Sequence, residues 1–212
     1  MKLDFDWGGE RRLEDEIIPE CLQPHSNLES LEIRKYRGST ISPDWMVSLT
    51  NLRRLVLYSC QYSEALPPLG KLPSLESLEM CLMKSVKNVG LEFLGIGTDG
   101  AEIPSFVSFP KLSELGFSSL GKWRVWEGSV RSAEEDISCR IMPCLLSLEI
   151  NSCFCLEVLP NFLKKTPLQN LTITDSKVLQ DHCIVGTGKE WDKISHIPNI
   201  KINFESVQRD DL

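Results

Sequence analysis

The sequence predicts an α/β repeat fold: a curved solenoid with one short parallel strand per coil on its concave face and an irregular, short-helical convex side. Three observations predict it. A phrase occurs twice in residues 51–80, NLRRLVLYSCQYSEALPPLGKLPSLESLEM: Leu52-x-x-Leu55-x-Leu57, then Leu75-x-x-Leu78-x-Met80, 23 residues later. It recurs at Leu28/Leu31/Ile33, Leu112/Leu115/Phe117, Leu145/Leu148/Ile150 and Leu168/Leu171/Ile173, with a degenerate copy at Ile197/Ile200/Ile202. Between the first two copies, Pro67, Pro68 and Pro73 lack a backbone donor, so the return path is neither regular sheet nor helix. A fixed period in this range marks leucine-rich repeats, whose coils must stack because one coil cannot bury its own leucines.

Each element follows from this phrase. Its last two apolar positions are two apart, which suits a strand with alternating faces. Leu55 and Leu57 point inward and Val56 outward. Stacked strands lie about 4.8 Å apart. From Leu28 the steps are 24, 23, 37, 33, 23 and 29 residues, so the two long steps imply insertions near residues 90–108 and 119–142. At the start, Leu3 and Phe5 read as the last two positions of an earlier copy. With no cap before them, the chain reads as a fragment, or as one whose upstream domain or repeats cover that end.

Arg11 to Leu22 is a helix candidate with Leu13, Ile17 and Cys21 on one face, which Pro19 kinks or stops. Thr40 to Met46 is a convex turn in which Trp45 packs between coils. Lys84 to Leu94 is a short amphipathic return and Gly95 to Ser105 a loop. The second insertion carries Trp123 and Trp126, then a solvated acidic run. The two tryptophans read as core packing, with an exposed anchor as the alternative. Residues 183–212 close the last coil. Seven to eight coils make one domain spanning residues 1–212.

Composition narrows the function. A chain of 212 residues can bury a sizeable core, about 70% of its unfolded surface. A net charge of −7 without a basic block argues against nucleic acid. No apolar run approaches the ~20 residues of a membrane span, and MKLDFDWGGERRLEDE has no signal-peptide core. The eight cysteines form no C-x-x-C and no zinc spacing, so neither metal nor cofactor is expected. Cys60 and Cys153 fall three residues after the last apolar position of their repeats, where a small side chain faces the inside of the turn. Reduced thiols are the simplest reading.

His25, His182 and His196 sit in turns or the tail with no readable nucleophile–base set, so no catalytic residue is assigned. The stretch GTGKEW is not a phosphate loop. The pattern needs Gly where Cys183 stands and Ser or Thr where Glu190 stands. Asn170-Leu171-Thr172 is a formal glycosylation sequon on a predicted strand, expected to be unmodified.

Aligning the strands gives rows across the outward face. They are Glu29, Arg53, Glu76, Ser113, Leu146, Gln169; then Ser30, Arg54, Ser77, Glu114, Ser147, Asn170; then Glu32, Val56, Glu79, Gly116, Glu149, Thr172. The last holds Arg34, Tyr58, Cys81, Ser118, Asn151 and Thr174. The candidate protein-binding residues are Glu29, Glu32, Arg34, Arg53, Arg54, Val56, Tyr58, Glu76, Glu79, Glu114, Glu149 and Asn151. Arg53 is flanked by Glu29 and Glu76; such exposed pairs are worth about 0.2–1 kcal/mol. One reading is a neutralised ladder that aids stacking. The other is a polar face whose Glu32, Glu79 and Glu149 favour a basic partner, with Arg53, Arg54, Val56 and Tyr58 as anchors.

The phrases NLESLEIRKYRGS, SLTNLRRLVLYSC, LPPLGKLPSLESLEM, SFPKLSELGFSSLGKWRVWE, IMPCLLSLEINSC and GTGKEWDKISHIPNIKI resemble one known set. It is the C-terminal leucine-rich-repeat region of plant disease-resistance proteins of the coiled-coil, nucleotide-binding type. The resemblance implies a cytoplasmic immune-receptor region. It implies protein partners: a pathogen effector or a guarded host protein, and the nucleotide-binding module of the same receptor, which such repeats hold inactive. Nucleotide binding does not carry over, because no phosphate loop is present. The G-x-I-P phrase of extracellular plant repeats is absent too. The alternatives are a repeat adaptor, such as a ubiquitin-ligase substrate receptor, or a truncated relic of a receptor.

Overall fold

The computed structural model describes residues 1–5, 21–41, 43–97, 106–128 and 140–207. Each leucine phrase forms a strand. The main sheet holds β1 (Lys2–Asp4), β2 (Ser30–Arg34), β3 (Arg54–Tyr58), β4 (Ser77–Cys81), β7 (Glu114–Ser118), β10 (Ser147–Asn151), β11 (Asn170–Thr174), β12 (Asn199–Ile202) and β13 (Glu205–Ser206), in that spatial order. Every pairing is parallel except the terminal β12–β13 hairpin. The hairpin turn has Asn203 and Phe204 both at positive φ, 48° and 69°, which suits a primed two-residue turn.

The register stacks inward residues in columns. Leu31, Leu55, Leu78, Leu115, Leu148, Leu171 and Ile200 make one column; Ile33, Leu57, Met80, Phe117, Ile150 and Ile173 make the next. All are buried, and one apolar core runs from Phe5 to Ile200. Burying one such side chain contributes about 1.5–3 kcal/mol.

One conformational device ends five of the strands. Lys35, Ser59, Leu82, Ser119 and Ser152 adopt φ of 52° to 59°. Each donates its N–H to the last residue of the next strand: the carbonyls of Tyr58, Cys81, Ser118, Asn151 and Thr174, at 2.8–2.9 Å. Left-handed backbone costs a non-glycine residue about 1–2 kcal/mol. Here it turns the chain out of the sheet and keeps the coil-to-coil ladder one residue longer.

The return paths pair as well. β5 (Asn88–Val89) runs parallel to β8 (Val125–Trp126), with isolated bridges at Thr40–Ala65 and Val125–Val158. Short 3-10 turns lie at Met46–Ser48, Leu69–Lys71 and Asn161–Lys165. Ion pairs cross between return paths at Lys87–Glu64 (3.0 Å) and Arg124–Glu157 (2.7 Å). Arg124 beside it holds the Glu157 carboxyl below its ordinary range.

The two long steps leave the sheet register intact. Gly70 donates its N–H to the Phe93 carbonyl at 3.0 Å, and a β-carbon there would sit 2.0 Å from the Leu94 carbonyl oxygen. Only glycine lets the returning chain lie this close. The buried Ser108 hydroxyl caps the same carbonyl at 2.7 Å. Both long segments rejoin the sheet side by side, where β6 (Val107–Ser108) pairs with β9 (Arg140–Ile141).

Several expectations need correction or placement. Leu3 lies opposite Ile33 and not opposite Leu31, so β1 is shifted by two residues. Phe5 then passes beyond the strand and packs edge-on against Tyr36, centroids 5.5 Å apart. The return over residues 84–94 buries Val86, Val89, Phe93 and Leu94 through turns and β5 without a helix. Most of the helix candidate at residues 11–22, the loop over 98–105 and the acidic run lie outside the described residues. The closing segment contains two short helices, α1 (Lys177–His182) and α2 (Trp191–Ile194).

Candidate functional site

The alternation that buries the leucines turns their neighbours outward. The sheet thereby presents the expected rows in register: Ser30, Arg54, Ser77, Glu114, Ser147 and Asn170 stand side by side, as do Glu32, Val56, Glu79, Gly116, Glu149 and Thr172. These side chains are exposed or half-buried.

Over β2–β4 the face is charged and internally paired. Arg34 meets Glu32 on its own strand at 2.5 Å and lies over the Tyr58 ring, 4.9 Å from its centroid. The hydrogen bond to Glu32 holds the Arg34 guanidinium above its ordinary pKa. Arg53 turns to Glu76 at 3.2 Å and not to Glu29, while Arg54 reaches diagonally to Glu79, also at 3.2 Å. Both pairs are well exposed, so each is worth about 0.2–1 kcal/mol. They neutralise charge more than they stabilise.

Over β7–β11 the face changes. Among the described residues, no ion pair forms at Glu114 or Glu149. Gly116 stands between Glu79 and Glu149 in its row, and a β-carbon there would touch only Glu79 Cγ, at 3.8 Å. The backbone is therefore open at the centre of three carboxylates. Leu146 stands 45% exposed at the start of β10. Asn151 is half-buried and accepts a hydrogen bond from Ser152 Oγ at 2.8 Å. The Asn199 amide donates to Asn170 Oδ1 at 3.2 Å, and exposed Lys201 on β12 stands beside Thr172, so the far end of the face is polar and carries a positive charge.

Residues 1–83 match the family described as R13L1/DRL21 leucine-rich repeats. The chain is 42% identical over 120 residues to the disease resistance protein RGA1 of Solanum bulbocastanum, covering 56% of this chain and 11% of that relative. A disease resistance protein of Arabidopsis thaliana is 31% identical over 199 residues, 90% of this chain and 13% of its own length. The RPP13-like protein 1 of Arabidopsis thaliana is 28% identical over 179 residues, 74% of this chain and 17% of its own. The chain is a leucine-rich-repeat region of the plant disease-resistance (NLR) type. It spans 11–17% of the length of these relatives.

Within this NLR-type repeat region, the exposed-anchor reading of Trp123 and Trp126 is overturned. Both are buried, at 0% and 1% exposure. They pack on Phe117 with centroids 4.6 and 5.1 Å away, and on each other at 5.7 Å. Trp126 also meets Phe162 of the next coil edge-on at 5.8 Å. The second long step thus delivers aromatic filling, because its strand bears Phe117 where its neighbours bear Met80 and Ile150. Trp45 is buried as well.

Cys60 and Cys153 are buried inside their turns, facing carbonyls of Tyr58 (3.6 Å) and Asn151 (3.5 Å). Burial pushes their thiols up to about 12 and about 11. They fill space and are not nucleophiles. His25 Nδ1 accepts from the Asn27 N–H at 3.1 Å, and His182 Nδ1 contacts the Glu157 carbonyl at 2.8 Å. Among the described residues no group of three His, Cys, Asp or Glu is placed to hold a metal, and no helix is long and apolar enough to cross a membrane.

Leu146 is exposed as its place in the outward row predicts, with Leu145 buried. One feature escaped sequence reasoning. The Gly116 opening had no signal beyond a glycine among outward positions.

Proposed function

We propose that the coils wind as one domain over residues 1–212 into a curved solenoid, and that the outward sheet face is its concave, protein-binding side. In this reading the chain recognises a pathogen effector or a guarded host protein for a cytoplasmic plant immune receptor. It also holds the receptor's nucleotide-binding module inactive. The observation that carries the reading is the face at β7–β10, where Glu114 and Glu149 stand around Gly116 with no ion pair among the described residues. A lysine or arginine of a basic partner segment fits there: the missing side chain leaves room, and the carboxylates supply electrostatic complementarity. The curvature follows from spacing, since strands stack at about 4.8 Å while turns and 3-10 segments on the other side take more room. Binding faces of repeat arrays are commonly concave. The relation to disease resistance proteins supports the immune role.

The test is charge reversal. Glu114→Lys together with Glu149→Lys, placed in a receptor carrying this region, is expected to abolish the response to its elicitor or to release a constitutive one. The melting temperature of the isolated region should stay unchanged. An unaltered response with both carboxylates reversed would overturn the proposal.

A further inference from the structure

The stretch that failed as a phosphate loop has a different use. Leu159 is buried, and its backbone is read by two side chains of the closing segment. Its N–H donates to Glu190 Oε2 at 2.7 Å, and its carbonyl accepts from Lys193 Nζ at 2.7 Å. Glu190 and Lys193 also bond each other at 2.8 Å, with side-chain exposures of only 8% and 15%. Nearby, His182 Nδ1 contacts the Glu157 carbonyl, and the Glu190 N–H donates to the His182 carbonyl, both at 2.8 Å. On the opposite side of the same stretch the bonds are backbone to backbone: Trp126 N–H to the Val158 carbonyl at 3.0 Å, and Glu157 N–H to the Arg124 carbonyl at 2.8 Å.

We propose that Glu190 and Lys193 form a clasp that replaces coil-to-coil backbone bonding at Leu159, and that residues 177–202 open as one unit while the repeats before them stay folded. Three facts support it. α2 has four residues, with Glu190 at its N-cap and Lys193 in its last turn, and is too short to persist undocked. A buried pair is tolerable only while both partners are present, because either one alone is an uncompensated buried charge. Repeat coils interact with their nearest neighbours, so opening at one place need not spread.

Buried cysteines report on this directly. Cys183 lies inside the segment and Cys60 lies in an early repeat, each at 0% exposure. Thiol labelling of the full chain, resolved peptide by peptide, is compared for Lys193→Met, Glu190→Gln and the double variant. Lys193→Met is expected to speed labelling of Cys183 at least tenfold and leave Cys60 unchanged. Glu190→Gln, which keeps the shape and an acceptor for Leu159, should give a smaller acceleration, again at Cys183 alone. The double variant buries no lone charge and should label more slowly than Lys193→Met. Unchanged Cys183 labelling in Lys193→Met would overturn the clasp. So would equal acceleration at Cys60, or a double variant that labels as fast as Lys193→Met or faster.

Discussion

The β2–β4 part of the sheet and the β7–β11 part are built on the same inward side and differ on the outward one. Leu55 and Leu78 are matched in register by Leu115, Leu148 and Leu171, all buried. Outside, β2–β4 pair each arginine with a glutamate, whereas on β7 and β10 Glu114 and Glu149 form no ion pair among the described residues, beside a residue with no side chain. The repeat period constrains only what faces the core. Outward positions can diverge between neighbouring coils at almost no cost in folding, so recognition can be specified there.

The largest test of this contrast addresses the half that should not differ. Leu55→Ala and Leu148→Ala, at 0% and 1% exposure, are each expected to cost about 2–5 kcal/mol. Chemical denaturation should place them within that range, and a much smaller loss in either would mean the two inner sides are not equivalent.

Alkaline pH gives the next effect. Cys60 and Cys153 keep their protons in the folded chain up to about 12 and about 11, against an ordinary 9.0. The unfolded chain releases them first, so stability is intact below about pH 9 and falls as pH rises toward 11–12. The fall should reach about 1.4 kcal/mol per pH unit for each thiol. Denaturation curves for Cys60→Ala and Cys153→Ala should each lose their share of that slope.

Gly116→Val separates folding from recognition. A β-carbon there makes only an ordinary contact with Glu79 Cγ at 3.8 Å, and relieving glycine in a strand is worth about 0.5–1 kcal/mol. The variant should therefore melt higher while a basic partner binds at least about tenfold more weakly, a loss of about 1.4 kcal/mol. The smallest effect should come from Arg54→Ala. It removes one exposed pair, so stability should change by no more than about 1 kcal/mol. It also frees Glu79, making β4 resemble β7 and β10, and calorimetric binding of a basic peptide should strengthen.

Much of this was legible before any coordinates. The leucine phrase located the strands and aligned the outward rows, because a two-residue alternation leaves little freedom once one face is buried. What was not legible shares a cause: it depends on reach across coils. Leu3 and Phe5 are spaced by two, and that spacing fits either of two registers. Trp123 and Trp126 read as core packing with an exposed anchor as the alternative, and only the aromatic neighbours Phe117 and Phe162 decide between the two. Arg53 had two candidate partners in its row and took one, while Arg54 reached diagonally to Glu79 in the neighbouring row. The Glu190–Lys193 clasp grips a backbone about thirty residues away, which no local pattern encodes.

The elbows after the strands carry a further consequence. Five of them, Lys35, Ser59, Leu82, Ser119 and Ser152, hold a left-handed backbone with residues poorly suited to it. Exchanging Ser119 for asparagine or glycine should recover about 1 kcal/mol, visible as a higher melting temperature. These positions lie off both the leucine columns and the outward rows. They form an unspent reserve of stability, available to absorb the cost of changes at the outward residues.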